Sequence, residues 1–396
     1  MIQISPETQL FIREHSSDDV RALALQAKKY PDIDMPTAIT QIAGRQVAAE
    51  NIPSWREIEE IWYPKHLSLE QCSSEITARY KARLFQGDSL TDLTGGFGID
   101  CSFLATGFKS ATYVERQEEL CEIAAHNFPI LNLNHINVRN EDGVAYLQSM
   151  SPVDCIFLDP ARRNEHGGKT VAISDCEPNV AELEALLLSK ANRVMIKLSP
   201  MLDLSLALKE LKQTQEVHIL SVNNECKELL ILLGQTSPAE IAIHCVNLFT
   251  KGTQEEQHFV FTREQEQRSQ CTYTDSLGDY LYEPNASLLK AGAFRSIAAA
   301  YPVRKLHPNS HLYTSDTFIE NFPGRIFRIV NQCSFNKKEV KENLADLKKA
   351  NVTVRNFPAT VAELRKRLHL TEGGDTYLFA STLNNGQKVI IRCEKV

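Results

Sequence analysis

The chain has 396 residues, of which 43% are hydrophobic and 23% are charged, and its formal net charge is -7. This length exceeds one ordinary hydrophobic core, so two or three domains are expected, and the composition argues against a disordered or fibrous chain. The acidic balance argues against a globally basic nucleic-acid binder, so any such surface must be a local patch.

Ten cysteines occur singly in the chain, without a C-x-x-C pair or a His/Cys cluster at ligand spacing. They predict free thiols in a reducing compartment and no metal site. The N-terminus lacks a basic start, and no apolar run approaches the roughly 18 residues of a membrane span. We therefore expect a cytoplasmic protein with no signal peptide and no membrane partner.

Residues 1–80 have the pattern of a helical N-terminal domain. Pro36 is expected to open one helix, and Pro53 another in which Trp55, Ile58 and Trp62 recur at helical spacing. An aromatic stripe of this kind is most simply explained by core packing.

The most informative stretch is residues 89–116, where a glycine-rich turn joins two predicted strands, 90–93 and 110–114. Glycines let a backbone approach a ligand closely, and an acid that closes the second strand is placed to accept from a ribose diol. The stretch therefore predicts a nucleoside-binding crevice. The residues that would form it are Gly95, Gly96, Gly98 and Glu115.

Two familiar nucleotide motifs are absent from this stretch and from the rest of the chain. The motif G-x-G-x-x-G would need a glycine at Cys101, and a Walker phosphate loop would need one at Arg163. What remains is an acid, Asp92, that ends the first strand. A carboxylate there would repel a pyrophosphate but suits the cationic amino-acid end of S-adenosylmethionine. The residues favour that cofactor over a degenerate nucleotide crevice or a glycine turn without a ligand.

Apolar strands alternate with helical segments over residues 90–233, which is typical of a doubly wound α/β sheet. The last two apolar runs, 217–220 and 229–233, lie too close together for a crossover helix, so they are expected to pair antiparallel. Such an ending is typical of methyltransferases. We therefore predict a Rossmann-like class I methyltransferase sheet that ends in an antiparallel hairpin, within a domain at 81–236.

The acids at the strand ends are expected to converge, because such sheets bind their ligands at the carboxyl edge. Asp92 would face the methionine part of the donor, Glu115 the ribose hydroxyls and Asp142 the adenine amino group, with Glu141 as the alternative to Asp142. The predicted cofactor-binding residues are Asp92, Thr94, Gly95, Gly96, Gly98, Glu115, Arg116, Asp142 and Gly143.

The run Asp-Pro-Ala-Arg-Arg at 159–163 stands where the catalytic loop of such a sheet belongs. Amino-group methyltransferases place Asp/Asn-Pro-Pro-aromatic there, so that the acid accepts from the amine and the ring stacks on the base. Asp159 and Pro160 are present, whereas Ala161 and Arg162 replace the second proline and the ring, which puts base methylation in doubt. The loop is instead basic and suited to phosphates, through Arg162, Arg163, His166 and Lys169.

A second set of residues competes for the catalytic role. Its order resembles the Lys-Asp-Lys-Glu tetrad of ribose 2′-O-methyltransferases, in which a desolvated lysine deprotonates the hydroxyl. The members would be Lys81, Asp159, Lys197 and Glu228. The predicted catalytic residues are thus Asp159, Pro160 and Lys197, with the choice between the loop and the tetrad left open.

Beyond residue 236 the pattern changes to short strands and helices. Residues 324–396 read as strand, helix, strand, helix and a hairpin with an Asn-Asn-Gly turn. One of these helices is basic over 365–367, which indicates either phosphate contacts or an ordinary exposed helix face. The predicted substrate-binding residues are Arg162, Arg163, Lys169, Arg365 and Arg367.

From about residue 67 to its end the chain resembles the bacterial class I methyltransferases that carry a THUMP-like C-terminal domain. The motifs that carry the resemblance are C-S-S-E (72–75), D-L-T-G-G-F-G-I-D (92–100), D-P-A-R-R (159–163), K-L-S-P (197–200), N-E-C-K-E-L (224–229), Y-E-P-N (282–285), L-H-P-N-S (306–310) and V-R-N-F-P (354–358). The resemblance implies an S-adenosylmethionine fold, a small ferredoxin-like region at 237–323 and a terminal domain at 324–396 similar to RNA-binding THUMP modules.

These observations favour an S-adenosylmethionine-dependent methyltransferase acting on structured RNA, such as tRNA or rRNA, with the methylated atom undetermined. Two alternatives stay open. One is a non-catalytic RNA-binding protein that keeps the fold as a scaffold, and the other is a methyltransferase for proteins or small molecules.

Overall fold

A computed structural model describes residues 4–65, 72–162, 172–252 and 256–396. Internal contacts divide the chain into two units. The first comprises Met1–Gln215 and Leu229–Pro238, and the second comprises Glu216–Glu228 and Ala239–Val396. Within the described ranges, none of the helices has the length and apolar character that a membrane crossing needs.

Helices form the N-terminal part of the first unit. Three of them begin at residues whose side chains accept hydrogen bonds from the first turn, namely Ser5, Asp19 and Asp34. Their apolar faces enclose a small core that includes Phe11, Leu23 and Ile42. The helices are Pro6–Glu14, Val20–Leu25, Met35–Asn51, Pro53–Arg56 and Glu75–Leu84, with a 3₁₀ turn at Ala27–Lys29.

The helix expected from Pro53 through Trp62 is wrong beyond its first turn, since it ends at Arg56. The backbone N–H of Trp62 donates to Asn127 at 2.9 Å, and that of Tyr63 donates to Gln41 at 2.9 Å. Tertiary hydrogen bonds thus satisfy the backbone where a helix was expected. The core role of Trp55 is as expected, because it is buried against Phe97 with the ring centroids 5.4 Å apart.

A largely parallel sheet follows these helices in the first unit. The strands of this part of the chain include a separate short pair, β5–β6, and a closing hairpin, β8–β9. In chain order they are β1 Gly87–Asp92, β2 Phe108–Glu115, β3 Ile136–Asn140, β4 Val153–Leu158, β5 Ala161–Arg162, β6 Cys176–Glu177, β7 Ala191–Leu198, β8 Thr214–Val222 and β9 Glu225–Gly234. The order across the first unit is β9–β7–β4–β1–β2–β3, with β9 antiparallel to β7 and the others parallel.

The hairpin of β8 and β9 closes this arrangement, and the division into units runs through it. Its two-residue turn consists of Asn223 and Asn224, both with positive φ, at 48° and 69°. Such a turn matches the twist of the flanking strands, and asparagine tolerates the conformation well. The predicted Rossmann-like sheet that ends in an antiparallel hairpin is confirmed.

Helices connect the parallel strands and cover the faces of the sheet, which explains why the central strands are apolar throughout. Ile156, Phe157, Val194 and Ile196 are at most 1% exposed. The connecting helices are Ile99–Leu104, Glu118–Ile130, Gly143–Ser149, Val180–Lys190 and Leu204–Glu210, with 3₁₀ turns at Ala105–Gly107 and Ile173–Asp175.

The second unit begins with β8 running parallel to β10, Ala242–Leu248, which pairs antiparallel with β11, Glu256–Phe261. It continues with a seven-stranded sheet of order β13–β14–β12–β15–β18–β17–β16. These strands are β12 Tyr280–Pro284, β13 Arg304–Lys305, β14 Tyr313–Ser315, β15 Gly324–Ser334, β16 Asn351–Arg355, β17 Thr376–Thr382 and β18 Lys388–Lys395, and the helices are Arg263–Arg268, Ala286–Ala291, Ser296–Ala300, Lys337–Leu344 and Val361–Leu368.

The seven-stranded sheet joins segments before and after residue 324 into one core. Strand β12 pairs directly with β15, and Leu281, Leu306 and Leu312 share a cluster with Phe327 and Phe379. Cutting the chain between β14 and β15 would therefore expose a buried apolar face. The function of the C-terminal part is better tested with point variants than with a truncation at this position.

Candidate functional site

Glycines shape the turn between β1 and the helix Ile99–Leu104. Gly96 and Gly98 have φ values of +53° and +85°, a region that suits a residue without a side chain. A Cβ at Gly95 would lie 2.2 Å from the ring of Tyr113, so the turn packs directly on β2. The Tyr113 hydroxyl in turn donates to the carbonyl of Gly96. The backbone of the turn is thus held in one conformation, with close packing on its inner side.

Asp92 ends β1 just before this turn and is 1% exposed. Its Oδ1 accepts from the backbone N–H of Thr94 at 2.9 Å, whereas its Oδ2 is buried and has no hydrogen-bond partner among the described residues. Burial raises the pKa of Asp92 to about 8, and the nearby carboxylates of Asp100, Asp159 and Glu115 contribute to the rise. A buried carboxyl oxygen without a partner is costly. The site is therefore suited to a cationic hydrogen-bond donor such as an ammonium group.

Glu115 ends β2 on the other side of the turn and is 9% exposed. One carboxylate oxygen accepts from the backbone N–H of Gly96 at 2.9 Å, and the other accepts from that of Gln117 at 2.9 Å. Because each oxygen has a second lone pair, both can accept a further hydrogen bond. Arg116 is exposed and lies 3.7 Å from Glu177.

Asp142 and Gly143 form the start of the helix that follows β3. The Asp142 Oδ1 caps this helix by accepting from the N–H groups of Val144 and Ala145 at 3.0 Å each. A Cβ at Gly143 would lie 2.2 Å from the carbonyl oxygen of Leu93, so this helix start packs against the residue after Asp92. The adenine role predicted for Asp142 would therefore fall to its other carboxylate oxygen.

Thr94 connects the glycine turn with the predicted catalytic loop. Its backbone donates to Asp92, and its Oγ accepts from the backbone N–H of Asp159 at 2.6 Å. Pro160 is buried, and the next two residues form β5, which pairs with β6. Of the predicted basic loop, Arg163, His166 and Lys169 lie outside the described residues, and Arg162 is described only as part of β5.

A buried network of charged side chains lies beside Asp159. Lys197, near the end of β7, places its Nζ 2.6 Å from Asp159 and 3.3 Å from Asp100. Lys81 is fully buried and lies 2.8 Å from the other oxygen of Asp100. Ser73 donates to Asp100 at 2.7 Å and accepts from Lys81 at 2.7 Å and from Lys197 at 3.0 Å. The charged groups thus form one chain of contacts, from Lys81 through Asp100 and Lys197 to Asp159.

The two carboxylates of this network differ in their pKa. Burial alone would raise the pKa of Asp100, but the contacts with Lys81 and Lys197 hold it well below its ordinary value. Burial raises the pKa of Asp159, although the ion pair with Lys197 opposes the rise. Asp100 is therefore a fixed negative charge, whereas Asp159 is the more basic carboxylate and is suited to accept a proton or an N–H bond.

Ser73 and Asp100 were not among the site residues predicted from the sequence. Ser73 lies in the motif C-S-S-E and Asp100 in the motif D-L-T-G-G-F-G-I-D, but nothing in either motif indicates that the two residues meet at the two lysines. The predicted tetrad is brought together in part, since Lys81, Lys197 and Asp159 share the network around Asp100. Its fourth member, Glu228, is buried and belongs to the second unit.

The basic residues predicted to bind substrate in the second unit already have protein partners. Arg365 lies 3.1 Å from Glu372, and the guanidinium of Arg367 lies 4.1 Å from the ring centroid of Phe335. Lys366, between them, is exposed. Of the basic side chains of this helix, Lys366 and Arg367 are exposed, whereas Arg365 is half-buried.

The raised pKa of Asp92 gives a testable pH dependence of stability. Because its folded value of about 8 lies above the ordinary 3.8, the folded protein holds a proton that the unfolded chain releases, so stability falls as the pH rises between these values. Asp92→Asn removes this cost. We expect the difference in unfolding free energy between the variant and wild type to be about 3–4 kcal/mol larger at pH 8 than at pH 5, measured by urea unfolding.

Asp154→Asn is the matched control for this experiment. The pKa of Asp154 is lowered, because its carboxylate accepts from the backbone N–H groups of Ser89 and Asp88. Loss of this carboxylate should therefore lower the free energy of unfolding at pH 8, an effect opposite in sign to that of Asp92→Asn. Equal gains for Asp92→Asn at both pH values would contradict the protonated state of Asp92.

Comparison with known proteins supports this description of the fold. Family models match residues 280–323 as a ferredoxin-like domain and residues 324–395 as a THUMP-like domain. A crystal structure from Porphyromonas gingivalis W83, described as a "putative methyltransferase", aligns over 100% of both chains with 33% identity and a TM-score of 0.87.

Two further solved structures overlap with part of this chain, and no curated protein gives a significant match. An rRNA methylase from Streptococcus thermophilus shares 14% identity over 41% of this chain and 95% of its own, with a TM-score of 0.30. A Streptococcus mutans protein in complex with SAH shares 12% identity over 40% of this chain and 96% of its own, also with a TM-score of 0.30. The full-length match is decisive: the chain belongs to the family of the P. gingivalis protein, the bacterial class I methyltransferase-fold proteins with a THUMP-like C-terminal domain.

Proposed function

We propose that the protein is an S-adenosylmethionine-dependent methyltransferase that acts on structured RNA. The observation that carries the proposal is the buried Asp92 Oδ2, which has no partner among the described residues and lies beside a glycine turn that Glu115 holds from the other side. The methyltransferase description of the full-length relative agrees with it. The RNA part rests on the resemblance of residues 324–395 to THUMP modules.

The residues present fit the proposed cofactor. Asp92 would accept from the ammonium group of the amino-acid end, and the unused lone pairs of Glu115 would accept from the ribose hydroxyls. Thr94, Gly95, Gly96 and Gly98 would supply the backbone surface between these two ends. When bound, S-adenosylmethionine supplies a methyl group already activated by its sulfonium charge.

The residues of the chain would then contribute position and a proton acceptor. Thr94 ties the backbone of Asp159 to the turn that holds Asp92, so the acceptor is fixed relative to the donor site. Asp159 would accept a hydrogen bond from the nucleophile, and Lys197 at 2.6 Å would hold that carboxylate in place. With carboxylates on both sides, Lys197 is arranged as a hydrogen-bond donor, which favours Asp159 as the acceptor.

Binding of S-adenosylhomocysteine provides the first test. At pH 7 the carboxyl of Asp92, with a pKa of about 8, is mostly protonated, and an ammonium ligand should ionise it. We expect isothermal titration calorimetry in phosphate and in Tris to show release of up to one proton per ligand bound. Asp92→Asn should abolish the release, and Glu115→Gln should weaken binding by roughly tenfold or more.

The matched ligand control is 5′-methylthioadenosine, which keeps the nucleoside but lacks the amino-acid end. It should bind more weakly than S-adenosylhomocysteine and release no proton. If neither ligand binds, the proposed function is wrong. If both bind without proton release, the function stands but the role of Asp92 does not.

Methyl transfer itself is tested with total RNA from a strain that lacks the gene. Wild-type protein with labelled S-adenosylmethionine should transfer label to this RNA, and nucleoside mass analysis should identify the product. Asp159→Asn should lower the rate by about 100-fold or more, because it removes the proton acceptor. The control is Lys109→Met, which should leave the rate unchanged. It replaces an exposed lysine whose Nζ lies 2.7 Å from a carboxylate oxygen of Asp88. Donor binding without any transfer would favour the non-catalytic RNA-binding alternative.

The basic helix Val361–Leu368 provides a separate test of RNA binding. Lys366→Ala and Arg367→Ala should each weaken RNA affinity and flatten its dependence on salt by about one unit of slope, because each removes a phosphate contact. Lys341→Ala, on the other exposed helix of this region, should leave the slope unchanged. An unchanged slope in all three variants would show that the helix is an ordinary exposed face.

A further inference from the structure

Three histidines form a row across neighbouring strands of the second unit. His218 on β8 and His244 on β10 are direct partners in the parallel pairing, and their rings stack with centroids 4.3 Å apart. His258 on β11 continues the row, with its ring centroid 5.3 Å from that of His244. The row therefore lies on one face of the three strands.

A carboxylate completes this group. Glu216 precedes His218 by two residues on β8 and so shares its face. The Glu216 Oε2 lies 3.3 Å from the His218 Nε2, and the His244 Nδ1 lies 3.1 Å from the His258 Nε2. Candidate ligand atoms of Glu216, His218 and His244 all lie within 4.8 Å of one another.

The 3.3 Å and 3.1 Å separations are close to those between neighbouring ligand atoms of a tetrahedral metal site, and His258 has to move toward the other three residues, whose ligand atoms already lie within 4.8 Å of one another. With bonds of about 2.0–2.1 Å to nitrogen and oxygen, neighbouring ligand atoms around Zn²⁺ are about 3.3 Å apart. The side chain of His218 is only 3% exposed, so this part of the proposed site is buried in the protein. Histidine nitrogens with one carboxylate oxygen are a donor set that first-row divalent metals bind well.

We propose that His218, His244, His258 and Glu216 bind a divalent transition-metal ion of the zinc type. The ion is structural, since four protein ligands complete a tetrahedron and leave no position for a substrate. It adds a link between β8, β10 and β11 to their strand pairing. This role is independent of the proposed methyl transfer.

Metal uptake has a specific structural consequence for the rings. The planes of His218 and His244 lie 12° apart, so the in-plane lone pairs of the two stacked rings are nearly parallel. For both to reach one ion, at least one ring must turn. A stack held only by hydrogen bonds would show the same separations but would neither turn nor take up zinc.

The test uses the full chain, stripped of metal with a chelator and titrated with Zn²⁺ against a chromogenic competitor. We expect one equivalent to bind, the melting temperature to rise with zinc, and imidazole nitrogen resonances to shift. His244→Ala and Glu216→Gln should each weaken binding by roughly tenfold or more. Wild type that binds no zinc, or variants that bind it as tightly as wild type, would overturn the proposal.

His15→Ala is the matched control. The His15 Nδ1 lies 2.7 Å from a carboxylate oxygen of Asp18 in the first unit, so this histidine–carboxylate pair is outside the proposed site and its loss should leave zinc binding unchanged. Loss of binding in His15→Ala would place the ion elsewhere and would also overturn the proposal. Because His244→Ala could lower the stability of the sheet, each variant is compared by its circular dichroism in the metal-free state. His258→Gln, nearest the sheet edge, provides a second variant, and tenfold weaker zinc binding with an unchanged spectrum is the supporting result.

Discussion

The buried carboxylate of Asp100 is the interaction on which the rest of the site depends. It joins three separate parts of the first unit, because its partners are Ser73 before the helix Glu75–Leu84, Lys81 on that helix and Lys197 on β7. Asp100 itself lies in the first turn of the helix after the glycine turn. The N-terminal helices, the glycine turn and the end of β7 are therefore held together at one charged centre.

A buried ionic network of this kind is weak evidence for stability, since well-packed apolar side chains can be as stabilising or more so. Its value lies in position, because each charge has few arrangements in which all its partners are satisfied. Asp92 shows the opposite situation, with one carboxyl oxygen that has no partner among the described residues and a raised pKa. Two acids on either side of one turn, one paired with lysines and with a lowered pKa and the other with a raised pKa, are typical of a functional site.

The sequence predicted the sheet and its closing hairpin because both depend on local patterns. Each of these patterns is visible within a short stretch of sequence: the alternating apolar runs, the glycines at 95–98 and the short gap before β9. Ser73 and Asp100 were missed because only tertiary packing brings them to Lys81 and Lys197. The same limit explains the helix that ends at Arg56, where Asn127 and Gln41, distant in the chain, supply the backbone hydrogen bonds.

The path of the chain between its two units has a consequence for how the protein can be divided. Residues 216–228 belong to the second unit, but Leu229–Pro238 return to the first, where β9 pairs with β7. A fragment that ends at residue 215 lacks the antiparallel partner of β7, and a fragment that ends at 238 carries a piece of the other unit without its surroundings. A single cut in the chain therefore cannot separate the two units as exchangeable modules. For the same reason, an insertion, a deletion or a protease site in the β8–β9 hairpin would change residues of both units.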